Sequence, residues 1–155
     1  DVILVGELRD YETMSIAVTA AEMGILVMGT LHTNGAAPTV DRMVNAFPAD
    51  KQSHVRAMLS TWLPAVISQQ LIPRAGKPGR VAALEILVNT PAVANLIRQG
   101  KLDQLENTMQ SGAQHGMRLM DTAIQELLEK GTISGKDAYK KAITKAKFEA
   151  VKDVG

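Results

Sequence analysis

Two short, unbroken apolar runs, Val2-Ile-Leu-Val5 and residues 25–31, flank a stretch of helical spacing, and no other feature constrains the fold of this chain as strongly. Between them Met14, Ala17, Val18 and Ala21 recur on one helical face, with Asp10 as a good N-cap before them and Gly24 as a stop after them. Strands joined through a helix of about a dozen residues pair in parallel, so their carboxyl ends share one edge of the sheet. Runs this apolar suit parallel strands buried on both faces. Glu7 closes the first run, and His32-Thr-Asn-Gly35, with its Asn-Gly turn signal, closes the second. Open α/β sheets bind ligands at that edge. A carboxylate there suits holding Mg²⁺ through water or accepting a proton from an attacking water, and it equally suits an ordinary solvated strand end. His32 is open in the same way, as a site group or as a side chain that bonds the turn it begins.

Two further helical stripes follow, Val40, Met43, Val44 and Phe47 ended by Pro48, then Val55, Met58, Leu59 and Trp62, and both predict short core-facing helices. Residues 63–72 and 80–88 read as extended segments around Pro73-Arg-Ala-Gly-Lys-Pro-Gly79. They predict a hairpin adding antiparallel strands at one side of the sheet. From Thr90 the pattern is helical throughout: Leu102, Leu105 and Met109, then Met117, Met120, Ile124 and Leu127, then Tyr139, Ala142, Ile143, Ala146 and Ala150. The composition shift at Asn89-Thr-Pro91 predicts a boundary, with residues 1–90 as an α/β core and 91–155 as a small all-helical appendage.

The chain of 155 residues is 46% hydrophobic, enough to bury a real core. Its 17 basic and 16 acidic residues create no field that argues for nucleic acid or an anionic membrane as the main partner. With no cysteine, stability rests on packing, and disulfides and thiolate metal sites are excluded. His54 and His115 have no carboxylate or second histidine at ligand spacing, so no metal site is expected. The eight methionines fall mostly on the helical stripes and read as core fillers. Lys136, Lys140, Lys141, Lys145, Lys147 and Lys152 read as the solvated face of a final helix. The first residue is Asp, at the edge of a strand, so the chain is expected to begin inside a longer protein.

Ile3-Leu-Val-Gly-Glu-Leu-Arg-Asp-Tyr-Glu-Thr13 and Gly29-Thr-Leu-His-Thr-Asn-Gly-Ala36 together resemble the Walker B and His-box motifs of the secretion and type IV pilus ATPases. The tail, with Pro91-Ala-Val-Ala-Asn-Leu-Ile-Arg98 and Gln110-Ser-Gly-Ala-Gln-His-Gly-Met117, is similar to the PilT branch, the retraction motors of twitching motility. The resemblance implies the carboxy-terminal part of a RecA-like P-loop ATPase domain, in a homo-hexamer whose subunits also carry a PAS-like domain. It implies ATP and Mg²⁺ as ligands, the pilus machinery as partner, and a cytoplasmic location peripheral to the inner membrane.

Carried over by position, the resemblance makes Glu7 the catalytic glutamate acting on the attacking water and His32 the histidine near the γ-phosphate. Arg9, Thr30 and Thr33 match flanking positions with supporting, cofactor-binding roles. Asn95, Leu96, Ile97 and Arg98 match most of a family helix motif, although Ala94 and Gln99 stand where the family has Arg and Glu, and coupling of hydrolysis to retraction is expected on this helix. Gly6 stands where many other P-loop ATPases have an Asp ligand to Mg²⁺. No Gly-x-x-x-x-Gly-Lys-Ser/Thr phosphate loop occurs in these residues, so the chain alone is expected to be inactive. A pilus-extension or type II secretion ATPase is the nearest alternative, though many of those carry a four-cysteine insertion. A non-catalytic assembly module is the other.

Overall fold

The computed structural model describes residues 1–155. Val2–Val5 (β1) and Leu26–Gly29 (β2) pair in parallel, Val2 opposite Leu26 and Val5 opposite Gly29. Tyr11–Glu22 (α1) joins them as expected, its N-cap Asp10 accepting from the Thr13 amide at 2.9 Å. Gly24, at φ +86°, takes the left-handed conformation that ends the helix.

One expectation fails here. β1 and β2 are not buried on both faces, since Val2 and Leu4 are 61% and 73% exposed and Leu26 and Met28 are exposed too. The cause is the size of the sheet: it has two strands only, and of the helices α1 lies against β2. The apolar runs are those of a covered sheet, and these residues supply only part of the cover.

The chain divides into two compact units, residues 1–66 with 88–108, and residues 67–87 with 109–155. The boundary expected near residue 90 does not follow this packing. In the first unit, Ala36–Asn45 (α2), Gln52–Trp62 (α3) and Pro91–Gln99 (α4) complete the core begun by α1, with α3 against α1, α2 and α4. Met14, Val18, Val40, Met43, Val44, Phe47, Val55, Leu59, Val93 and Ile97 are buried, so the stripes read from sequence face inward. Trp62 departs from its stripe and is 44% exposed, as the last residue of α3. Helix α4 carries its signals in full: Thr90 caps it, Pro91 opens it and Gly100, at φ +70°, closes it. Tyr11 meets Phe47 edge to face with centroids 5.2 Å apart, and its hydroxyl accepts from Lys51 Nζ at 2.9 Å. These contacts tie the start of α1 to the segment after α2.

In the second unit, Ala65–Pro73 (β3) and Arg80–Val88 (β4) form the expected hairpin, but as a separate two-stranded sheet rather than as an extension of β1–β2. Its inward residues Ile72 and Ala83 pack with Met120, Ile124, Ile133, Ala138 and Phe148. The inward face of the hairpin is thus covered by helices of its own unit. The hairpin is tied to those helices along its length. Ala75 N donates to Thr132 O at 2.9 Å near the turn, and Gln70 Nε2 to Lys141 O at 3.5 Å midway. Ile86 and Arg118 exchange both backbone bonds, at 2.8 and 2.9 Å, beside Glu85 Oε2, which accepts from Met120 N at 3.0 Å.

Leu105–Ser111 (α5), Met120–Glu129 (α6) and Gly135–Lys141 (α7) follow the predicted helical pattern. The final stripe from Tyr139 to Ala150 is not one helix, however. α7 ends at Lys141 and a 3₁₀ turn, Lys145–Val151, begins after a break. Asp121 of α6, nearly buried, holds that break: Oδ1 accepts from Ile143 N at 2.7 Å and Oδ2 from Thr144 N at 2.9 Å. Lys145 Nζ then donates to Tyr139 O and Lys140 O at 2.7 and 2.6 Å, satisfying carbonyls that the ended helix leaves open.

Candidate functional site

The carboxyl ends of β1 and β2 are locked together by Thr30. Its carbonyl accepts from Leu8 N at 2.8 Å, and its hydroxyl donates to Gly6 O. Both residues flanking Glu7 are therefore pinned to the neighbouring strand end. Close approach is possible because residue 29 is glycine: a Cβ there would meet Leu8 Cδ1 at 2.6 Å, and Leu8 is buried.

Glu7 sits at the rim with its side chain 29% exposed, and two cationic or potentially cationic groups converge on one of its oxygens. Arg9 Nε donates to Oε1 at 2.7 Å, and His32 Nε2 lies 3.4 Å from the same atom. The hydrogen bond to Glu7, and then its charge, raise the Arg9 pKa above its ordinary value, so the guanidinium stays protonated throughout the working range. The imidazole adds an ion pair whenever it is protonated. Both groups are thus placed on Oε1. Glu7 and His32, 25 residues apart in sequence, share one rim on adjacent parallel strands, as the strand–helix–strand reading requires.

Thr33 is held by α2. Its hydroxyl lies 2.6 Å from that of Thr39, which itself donates to Gly35 O at 2.7 Å. In this arrangement the hydrogens of Thr30 and Thr33 are both directed to protein acceptors around Glu7. Arg42, also on α2, donates from Nη2 to Arg9 O at 3.1 Å. Sequence reasoning missed Thr39 and Arg42, which read only as polar positions between the apolar residues of a helix. Asn95, Leu96, Ile97 and Arg98 lie on α4, where Ile97 is fully buried and Leu96 half-buried. Arg98 Nη2 donates to Ser60 Oγ on α3 at 3.2 Å, and Asn95 Oδ1 accepts from Gln99 at 3.2 Å.

Comparison with known proteins decides the family. The family model described as "Type II/IV secretion system protein" matches residues 1–147. The chain belongs to this family. Among curated relatives, a "Twitching motility protein" of Neisseria gonorrhoeae is 53% identical over 92% of the chain, and the "Type IV pilus retractation ATPase PilT" of Pseudomonas aeruginosa is 52% identical over 92%. The chain spans 38% and 41% of the length of these two relatives. A solved structure described as "Crystal Structure of the Pilus Retraction Motor PilT and Bound ADP" superposes with a TM-score of 0.87 at 43% identity, covering 97% of this chain and 42% of that one. The resemblance to the secretion ATPases, carried in sequence by the Glu7 and His32 motifs, and to their PilT branch, carried by the tail, is borne out, and so is the α/β fold. No helix is long and apolar enough to cross a membrane.

Proposed function

We propose that these residues form the water-activating half of the ATP site in a motor that powers type IV pilus retraction and twitching motility. The observation that carries the proposal is the convergence of Glu7 and His32 at 3.4 Å on the carboxyl rim of a parallel strand pair. It is supported by the two relatives, a twitching motility protein and a retraction ATPase, and by the ADP bound to the similar solved structure. Glu7 Oε2 accepts the proton of a water attacking the γ-phosphate, while Arg9 on Oε1 fixes the carboxylate plane. His32 steadies charge developing on the phosphoryl oxygens.

The donor set around Glu7, a guanidinium and an imidazole on one oxygen, does not suit a divalent cation. The Mg²⁺ that accompanies ATP is proposed to be held by other residues, and no step here runs through it. The β and γ phosphates need a backbone cradle and a lysine that this sequence lacks, so the chain by itself is proposed to be inactive. The working protein is proposed to be a homo-hexamer, cytoplasmic and peripheral to the inner membrane, acting on the pilus machinery. Helix α4 is proposed to couple hydrolysis to retraction.

The test is Glu7→Gln in the full-length protein. Shape is kept and the base is lost, so steady-state turnover should nearly vanish while ATP affinity stays close to that of the parent. Turnover within a few-fold of the parent would remove Glu7 from the mechanism.

A further inference from the structure

Helix α2 reaches the Glu7 cluster through Thr39 and Arg42, two side chains one turn apart that stand outside the catalytic pair. Thr39 is buried, with its hydroxyl 2.6 Å from Thr33 Oγ1 and 2.7 Å from Gly35 O. A hydroxyl has one hydrogen, and a carbonyl can only accept. Thr39 therefore donates to Gly35, and Thr33 donates to Thr39. The first of these bonds is what a helical threonine commonly makes to the carbonyl four residues back. The second is not required by the helix at all. It reaches out of α2 to the residue next to His32, across a turn whose Gly35 takes φ +108°, a conformation that other residues rarely adopt. Three residues on, Arg42 Nη2 donates to the backbone carbonyl of Arg9, whose guanidinium lies on Glu7. The loop after β1 and the loop after β2 are thus both held from one helix.

We infer that Thr39 is a positioning residue for hydrolysis, fixing Thr33 and through it the placement of His32 against Glu7, while Arg42 fixes the backbone of Arg9. This rests on the proposed role of Glu7. Small displacements of groups around a reacting phosphoryl cost rate rather than nucleotide affinity, because the phosphates are held elsewhere.

The experiment uses the full-length protein with ATP as probe. Thr39→Val keeps volume and removes the hydroxyl; kcat should fall roughly tenfold with KM for ATP unchanged, and Thr39→Ser, which restores the hydroxyl, should recover most of the rate. In a His32→Ala background the Thr39→Val change should have little further effect, since it acts through the residue already removed. Thr33→Val, on the loop rather than in the core, removes the other end of the same bond. It should reproduce the kcat loss even if Thr39→Val fails to fold. A Thr39→Val effect of equal size with and without His32 would overturn the inference, as would failure of Thr39→Ser to recover the rate. A rise in KM in Thr33→Val would instead assign the pair to nucleotide binding and overturn it too. The reading of Glu7 is judged separately: if Glu7→Gln abolishes turnover and both valine variants turn over normally, the positioning role fails alone.

Discussion

Replacing Asp121 tests the claim that one carboxylate sets where the last helical segment breaks. Its two oxygens accept from Ile143 N at 2.7 Å and Thr144 N at 2.9 Å, and hydrogen bonds to a charged group contribute about 1.5–3 kcal/mol each. Residues 143 and 144 are exposed, so water can reach both amides once the carboxylate is gone, which favours the low end of that range. Lys147, 3.9 Å from Oδ2 and half exposed, adds little. Asp121→Ala should then cost about 3 kcal/mol. Asp121→Asn is the sharper variant. Its amide keeps one acceptor oxygen and turns an NH₂ donor toward the second backbone N–H, so it should recover less than half of the loss. Urea unfolding gives the total, and hydrogen exchange at the Ile143 and Thr144 amides places it, because a chain of two units need not unfold in one step. If Asp121→Asn matches the parent within about 0.5 kcal/mol with both amides still protected, a paired acceptor is not what holds the break.

Three further outcomes are expected. His32→Ala in the full-length protein should slow ATP turnover by less than Glu7→Gln does, since it removes charge stabilisation but not the base; an equal loss in steady-state assays would make the histidine indispensable. Gly29→Ala should destabilise the first unit by about 1–3 kcal/mol in urea titrations, because its Cβ would be driven to 2.6 Å from buried Leu8; unchanged stability would show that Leu8 moves freely. Replacing Leu96 and Ile97 of α4 with Ala should impair twitching more than ATP turnover in variants shown to be folded. The control matters because Ile97 alone can cost about 2–5 kcal/mol, and normal motility in a folded double variant would reduce α4 to a core helix.

The parts of the fold written in local chemistry could be read directly. Asp10 and Gly24 start and stop α1 through bonds that span a few residues, and the structure uses both as the sequence suggests. Glu7 and His32 were legible as neighbours because a strand–helix–strand unit admits few arrangements. What escaped depends on partners distant in sequence. Apolar β1 reads as buried, but exposure is set by how much of a sheet surrounds it. The stripe from Tyr139 to Ala150 has a helical period throughout, and only a carboxylate some twenty residues earlier reveals the break. Asp121 itself reads as an acid in the first turn of α6, a position that needs no other explanation. Thr39 was hidden in the same way, since a threonine inside a helix already has a bond to make at home.

The three ties along the β3–β4 hairpin have a mechanical meaning. A hairpin anchored only at its base swings about that base, and a push on its turn is absorbed by bending. This one is fastened at its turn by Ala75 and Thr132, midway by Gln70 and Lys141, and at its base by the paired backbones of Ile86 and Arg118. A body held at three stations along its length cannot swing about its base alone. A load on residues 74–79 therefore meets the segments around α6 and α7 at the turn as well as at the base.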